Sequence, residues 1–267
     1  MKAPGRRAAA LFLALVFAAG LLSDFVAAAS YATQFRDQTD AGMSGRFPLG
    51  TDALGRDRFA RLLYGTRVSL LLAPAAAALA AFFAALTGSL AAWAGGAWDR
   101  LAGRALDLML SLPWLFLLVA VRALLPLNVA PLVSVAATFA VLAALGWAPA
   151  ARVVRARVHT LRNADFVLAA RARGCPAWRV LLVQVLPNLR PVLISQFWIS
   201  IPLFILGEAE LGVLGLGVAE PLPSWGNMLR ELATASTPGL AVLAPLALMV
   251  AVVASFRAVL PAEGLER

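Results

Sequence analysis

The feature that most constrains this chain is a set of long apolar blocks with few or no charged residues. Residues 68–93, for example, contain no charged side chain. A bilayer core about 30 Å thick needs about 20 apolar helical residues to cross it, and a globular core needs no uncharged block of that length. The chain is 61% hydrophobic and only 14% charged, so we predict an integral membrane protein.

Six such blocks predict six transmembrane helices. Strands of a membrane barrel would alternate apolar and polar residues, and these blocks do not. The predicted fold class is therefore an all-α polytopic membrane protein. The third block is expected to kink near Pro113 and to let Arg122 snorkel towards one end. The blocks are Ala8–Ala29, Val68–Trp93, Leu106–Leu125, Leu127–Ala151, Pro191–Gly212 and Pro238–Phe256.

The positive charges predict the orientation of these helices. Six helices put both termini on one side, which holds 15 Lys and Arg against 7 on the other. The positive-inside rule therefore predicts cytoplasmic termini. The arginines lie between the apolar blocks, so they fit lipid headgroups better than nucleic acid, despite a net charge of +9. The expected regions are 1–67 (first helix and external loop 30–67), 68–258 (transmembrane domain) and 259–267 (cytoplasmic tail).

Three scarce residue types exclude several kinds of site. Lys2 is the only lysine, so the chain cannot contain a P-loop, and any ATP and Mg must be bound by a partner chain. Cys175 is the only cysteine and His159 the only histidine. An intrachain disulfide is thus excluded, and no metal site is predicted. We find no catalytic set.

The connection between the fourth and fifth blocks, residues 152–190, is basic and amphipathic. Its length predicts structure of its own. A first short helix is expected to start after an N-cap at Asn163 or Asp165 and to end at Gly174 with a positive φ. A second helix is expected from Pro176 to about Pro187. The residues alone leave two interpretations open: a segment lying on anionic lipid, or a protrusion that docks on a cytoplasmic partner.

This connection resembles the EAA loop of bacterial ABC-importer permeases. The matching residues are Ala169, Ala170, Gly174, Leu186 and Pro187, although Leu168 replaces the glutamate and Gln184 the isoleucine of that pattern. The segments at 47–70, 95–118 and 210–229 are similar to the C-type permeases of dipeptide, oligopeptide and nickel importers. The end of the chain, "SFRAVLPAEGLER", departs from that family's usual ending.

The resemblance implies a permease subunit of an ATP-driven importer in a bacterial inner membrane. Its expected partners are a homologous second permease, two ATPase subunits and an extracytoplasmic substrate-binding protein. The first hydrophobic segment also fits a cleaved signal peptide, but the family retains it. The cargo stays open among dipeptides, oligopeptides, nickel chelates and other small solutes. The residues expected to couple to the ATPase are Ala169, Ala170, Arg171, Arg173, Gly174, Leu186 and Pro187.

Two further groups of residues are candidates for external or gating roles. Asp52, Arg56 and Asp57 are interpreted as an ion pair and turn of the external loop, placed to brace the pore mouth or the binding protein. The glycines and prolines of Gly212–Met228 predict an external gate or re-entrant segment, or else a simple exposed turn. The gate candidates are Glu208, Gly215, Gly217 and Trp225, with Trp225 as an interfacial anchor. Glu208 and Glu210 also fit two carboxylates at the water interface.

Two other functions compete with the permease. A polytopic membrane enzyme would need a catalytic set within the spans, and none is visible in the sequence. An autonomous secondary transporter would be favoured by interrupted helices at matching positions of two halves. The amphipathic connection occurs only once, which favours the permease.

Overall fold

The computed structural model describes residues 3–126, 129–234 and 240–259, and the regular secondary structure of these residues is helical, without any extended strand. A π-helical turn at Leu181–Val185 separates α8 from α9, and a 3-10 turn at Leu240–Leu243 precedes α12. The helices are α1 Ala3–Leu21, α2 Ser23–Val26, α3 Arg58–Ala94, α4 Gly96–Ser111, α5 Trp114–Ala123, α6 Pro131–Arg162, α7 Asp165–Ala172, α8 Ala177–Val180, α9 Leu186–Asn188, α10 Arg190–Val213, α11 Trp225–Thr234 and α12 Ala244–Val259.

Four helical stretches in the described residues are long and apolar enough to cross a membrane, and five if one bent pair counts as a span. They confirm a polytopic all-α protein, whereas the total of six spans stays a prediction. The first predicted block is helical in α1 and α2. The predicted starts at Leu127 and Pro238 and the residues after Val259 lie outside the described ranges. The four stretches are Arg58–Ala94, Pro131–Arg162, Arg190–Val213 and Ala241–Val259.

The third predicted span is two helices rather than one kinked helix. α4 and α5 meet at an angle of 90°. Leu112 between them is extended, with ψ 135°, because the residue before a proline disfavours the helical conformation. α4 is held along the end of α6 by ion pairs, including Asp99 Oδ1 to Arg155 Nε at 2.6 Å. The Arg155 hydrogen bond is the largest cause lowering the pKa of the Asp99 carboxyl.

The small residues in 75–92 form a packing surface between two helices. Ala77, Ala80 and Ala84 of α3 are completely buried, and α3 packs along α6. A Cβ added at Gly88 would lie 2.7 Å from the Ala151 carbonyl oxygen of α6. Small side chains therefore let the two longest helices approach closely, as is typical of membrane helices.

Two helix ends extend beyond the predicted spans. α3 begins at Arg58 rather than Val68, because Asp57 caps it: the Asp57 carboxylate accepts a hydrogen bond from the Phe59 N–H. Burial raises the pKa of the Asp57 carboxyl. α6 continues past Ala151 to Arg162. The predicted loops at 30–67 and 152–190 are therefore partly helical.

Candidate functional site

The connection after α6 forms the predicted pair of short helices. α7 is followed by Gly174 at φ 78°, and α8 starts directly after Pro176. A Cβ at Gly174 would touch no atom within 4 Å, so only the left-handed backbone favours glycine there. The predicted N-cap is wrong, because Asn163 ends α6 and Ala164, which has no capping side chain, precedes α7.

One face of this pair packs on the end of α6. Val167 and Ala170 of α7 are completely buried, and so is Val185 of the π-helical turn. They share a core cluster with Val154 and Val158 of α6. The expectation that Ala170 faces a partner is therefore wrong, because its side chain is covered by the chain itself. The packing fixes the position of the pair relative to a membrane-spanning helix.

The exposed surface of the pair carries several large apolar side chains. Leu168 is 49% exposed and Trp178 is 64% exposed. Ala169, Arg173 and Pro187 are also exposed, and Leu186 is partly buried. Arg171 is turned back onto its own chain, with its guanidinium carbon 4.7 Å from the centre of the Trp93 ring in α3. We call the large exposed apolar side chains of the pair and of the following π-helical turn the coupling face; they are Phe166, Leu168, Trp178, Leu182 and Val183.

The loop before α3 is held by the predicted ion pair. Asp52 Oδ2 lies 2.6 Å from Arg56 Nε, and Asp52 Oδ1 accepts a hydrogen bond from the Arg56 backbone N–H at 2.8 Å. Gly50 and Gly55 have φ values of 69° and 72°, which confirms the turns. These contacts give Asp52 and Arg56 a structural role in shaping the loop.

The same loop binds a distant part of the chain, residues 214–224, which we call the returning loop because it leads from α10 back to α11. Arg56 Nη1 lies 2.6 Å from Glu220 Oε2, and Arg61 Nη2 lies 3.0 Å from Glu220 Oε1. Arg61 also lies 3.8 Å from Glu231 Oε1 of α11. Sequence reasoning missed Arg61 and Glu220, because no local motif relates residues so far apart.

The predicted gate residues Glu208 and Trp225 are both completely buried. Trp225 Nε1 donates a hydrogen bond to Thr66 Oγ1 at 3.1 Å, so its expected role as an interfacial anchor is wrong. Glu208 Oε2 accepts a hydrogen bond from the Gly226 N–H at 3.3 Å. Glu210 is exposed, so the two carboxylates do not share one interface. Glu208 instead binds the start of α11.

Close backbone contacts fix the returning loop against α10. Gly215 turns the chain after α10 with φ 76°. A Cβ at Gly217 would lie 2.7 Å from the Gly212 Cα, and a Cβ at Gly212 would lie 2.3 Å from the Gly226 carbonyl carbon. These contacts need glycines because a side chain would separate the segments.

A cavity of about 430 Å³ lies between the returning loop and the ends of α5 and α6. Its lining includes Arg56, Arg122, Ser134, Glu220 and Arg230. The prediction that Arg122 snorkels is wrong, since its side chain is only 1% exposed. Arg122 Nη2 instead donates to Ser134 Oγ at 3.1 Å and to the Gly217 carbonyl oxygen at 3.4 Å.

Comparison with known proteins gives consistent matches. The model of the family "binding-protein-dependent transport system inner membrane component" matches residues 82–262. A di/tripeptide transport system permease protein, DppC, of Pseudomonas aeruginosa is 36% identical over 87% of this chain and 80% of its own length. The dipeptide permease DppC of Bacillus subtilis is 30% identical over 84% of this chain and 68% of its own length. The oligopeptide permease OppC of Bacillus subtilis is 34% identical over 68% of this chain and 58% of its own length.

Proposed function

The chain belongs to the family of binding-protein-dependent transport system inner membrane components, and on this premise we propose that it forms half of the translocation pathway of an ATP-driven importer of short peptides. The chain is a permease subunit, and the relatives described above are transport permeases rather than enzymes. We assign it no catalytic step of its own.

The coupling face is the observation that carries this proposal. Exposed apolar side chains on two short helices that pack on the end of α6 suit insertion into a groove of an ATPase. Movement of the ATPase would then pass through α6 to the membrane helices. Leu168 and Trp178 supply the apolar contact, whereas Ala170, Gly174 and Arg171 position the helices. Arg173 adds a positive charge at the exposed rim.

The returning loop is the proposed outer gate. Glu220 of this loop pairs with Arg56 and with Arg61 of α3, and Gly217 lies close against Gly212 of α10. Non-helical backbone at membrane depth is tolerated where it is buried in protein or lines a water-filled cavity. Asp52 and Asp57 support this arrangement by shaping the loop and capping α3. The gate would open as α3 and α10 move apart.

The partners and the orientation follow from the same proposal. A second permease completes the pathway, two ATPase subunits bind ATP and Mg, and an extracytoplasmic protein delivers the cargo. Both termini lie in the cytoplasm of a bacterial inner membrane, as supported by the excess of Arg on that side. Short peptides are the proposed cargo, because the printed names of the relatives describe dipeptide, di/tripeptide and oligopeptide transport.

Replacing Leu168 with aspartate tests the coupling face. The change adds a charge to an apolar contact, and it should weaken association with the ATPase by roughly tenfold. Leu168 is exposed, so the fold of the permease itself should be retained. Leu168→Met is the matched control, because it keeps an apolar side chain of similar size. Co-purification of the ATPase with each variant is the measurement.

Equal recovery of the ATPase with both variants, together with normal uptake, would show that the coupling face does not contact the ATPase. That result would favour a lipid-facing role for this surface.

A further inference from the structure

Arg122 is a buried cation with most of its donors unused. Its side chain is 1% exposed, and the donors on Nε and Nη1 have no hydrogen-bond partner among the described residues. Only Nη2 is occupied, by Ser134 and Gly217. Burying a charge is costly unless it is paired. The side chain is therefore incomplete without a further anionic partner.

The arginines around Arg122, unlike Arg122 itself, have carboxylate partners. Arg56 is paired with Asp52 and Glu220, and Arg61 lies beside Glu220 and Glu231. No carboxylate of the described residues lies within ion-pair distance of Arg122. The local acidic groups thus serve other arginines, and the charge of Arg122 remains available to a ligand.

The surroundings of Arg122 suit a small ligand. The cavity that it lines, about 430 Å³, is within the size range of small-molecule sites. Ser134 Oγ, which accepts from Arg122, also accepts from the Ala219 N–H at 3.1 Å. Arg122 and the returning loop therefore share one hydrogen-bonded centre, so a ligand on Arg122 would lie directly against the proposed gate.

We propose that the free donors of Arg122 bind the terminal carboxylate of a short peptide as it passes the returning loop. This inference rests on the proposed function and adds a binding residue to it. A guanidinium donor and a carboxylate form a charge-assisted hydrogen bond. The alternative anion is an acidic side chain of the second permease, and it is an outcome of the test below.

The test compares trialanine with trialanine amide, which lacks the carboxylate, in vesicles containing the complete transport complex. Arg122→Gln should lower trialanine uptake roughly tenfold and the uptake of the amide far less, because a charged hydrogen bond is lost for the acid only. The binding protein is the same for each variant, so a changed acid-to-amide ratio reports on the permease. Arg67→Gln removes an arginine that does not line the cavity and should keep the wild-type ratio.

Equal loss of both substrates in Arg122→Gln would overturn the inference, because it would mean that Arg122 only holds the returning loop or pairs with the second permease. If Arg122→Gln failed to assemble, Arg122→Met would decide the question, because methionine has an apolar side chain that tolerates burial and has no donor. Arg122→Met should lower the acid-to-amide ratio, and an unchanged ratio would refute the inference. Wild-type vesicles that import neither peptide would instead refute the proposed function.

Discussion

Replacing Gly212 with valine should abolish transport. The added Cβ would lie 2.3 Å from the Gly226 carbonyl carbon and 2.4 Å from the Gly226 Cα. Both obstructing atoms are backbone, so no rotamer change can relieve the contact, and α10 must separate from α11. Overpacking of this kind costs about 3 kcal/mol, and uptake should fall at least about a hundredfold. The measurement is peptide uptake at matched amounts of membrane-inserted protein.

Gly45→Val is the matched control. A Cβ at Gly45 would meet no atom within 4 Å, and the residue is exposed. This variant should transport at the wild-type rate. Normal transport by Gly212→Val would contradict the close contact of α10 with α11.

Replacing Arg61 with leucine should cause a large loss of stability. Its side chain is completely buried and contacts Glu220 and Glu231. Only the arginine of these pairs is fully buried, and Glu220 and Glu231 keep Arg56 and Arg58 as neighbours, so we expect a loss of about 2 kcal/mol, below the range for breaking a fully buried pair. The free energy of unfolding in detergent is the measurement.

The loss should also depend on pH. Burial raises the pKa of Glu231, and the charge of Arg61 opposes that rise. Without Arg61 the pKa of Glu231 should rise further, so the folded variant binds a proton more readily than the unfolded chain. The loss of stability in Arg61→Leu should therefore be largest at neutral pH. It should shrink as the pH falls and Glu231 becomes protonated.

Arg67→Leu provides the comparison on the same helix. Arg67 Nη2 lies 2.8 Å from Asp24 Oδ2, but both side chains are substantially exposed. Solvent screens such a pair, so its loss should destabilise the protein far less than the loss of Arg61. Equal destabilisation by the two variants would mean that the burial of Arg61 does not increase the contribution of its ion pairs to stability.

Hydropathy predicted the membrane helices because long apolar blocks have few other stable environments. α10 begins within one residue of the predicted Pro191 and ends within one residue of Gly212. The 90° bend between α4 and α5 was not predicted, because Pro113 indicates a break but not its angle. The angle depends on the packing of α4 along α6, which is a tertiary interaction.

The candidate site was predictable where it depends on local backbone. The positive φ of Gly174 followed from its position after a short helix. The inward direction of the Ala170 side chain could not be predicted in this way. The motif gives the spacing of its residues but not which face of the helix packs on α6. Arg61, Glu220 and the cavity around Arg122 come together only in the folded chain, so single-sequence reasoning had no pattern from which to find them.

ATP-driven peptide uptake by reconstituted vesicles tests the central claim most directly. Vesicles would contain this chain, the second permease and the ATPase, with the binding protein added outside and ATP inside. The account predicts accumulation of labelled trialanine that requires ATP and every component, and no ATP hydrolysis by this chain alone, because its only lysine, Lys2, lies outside any P-loop. Accumulation that persists without this chain, or that this chain supports alone without ATP, would contradict the claim.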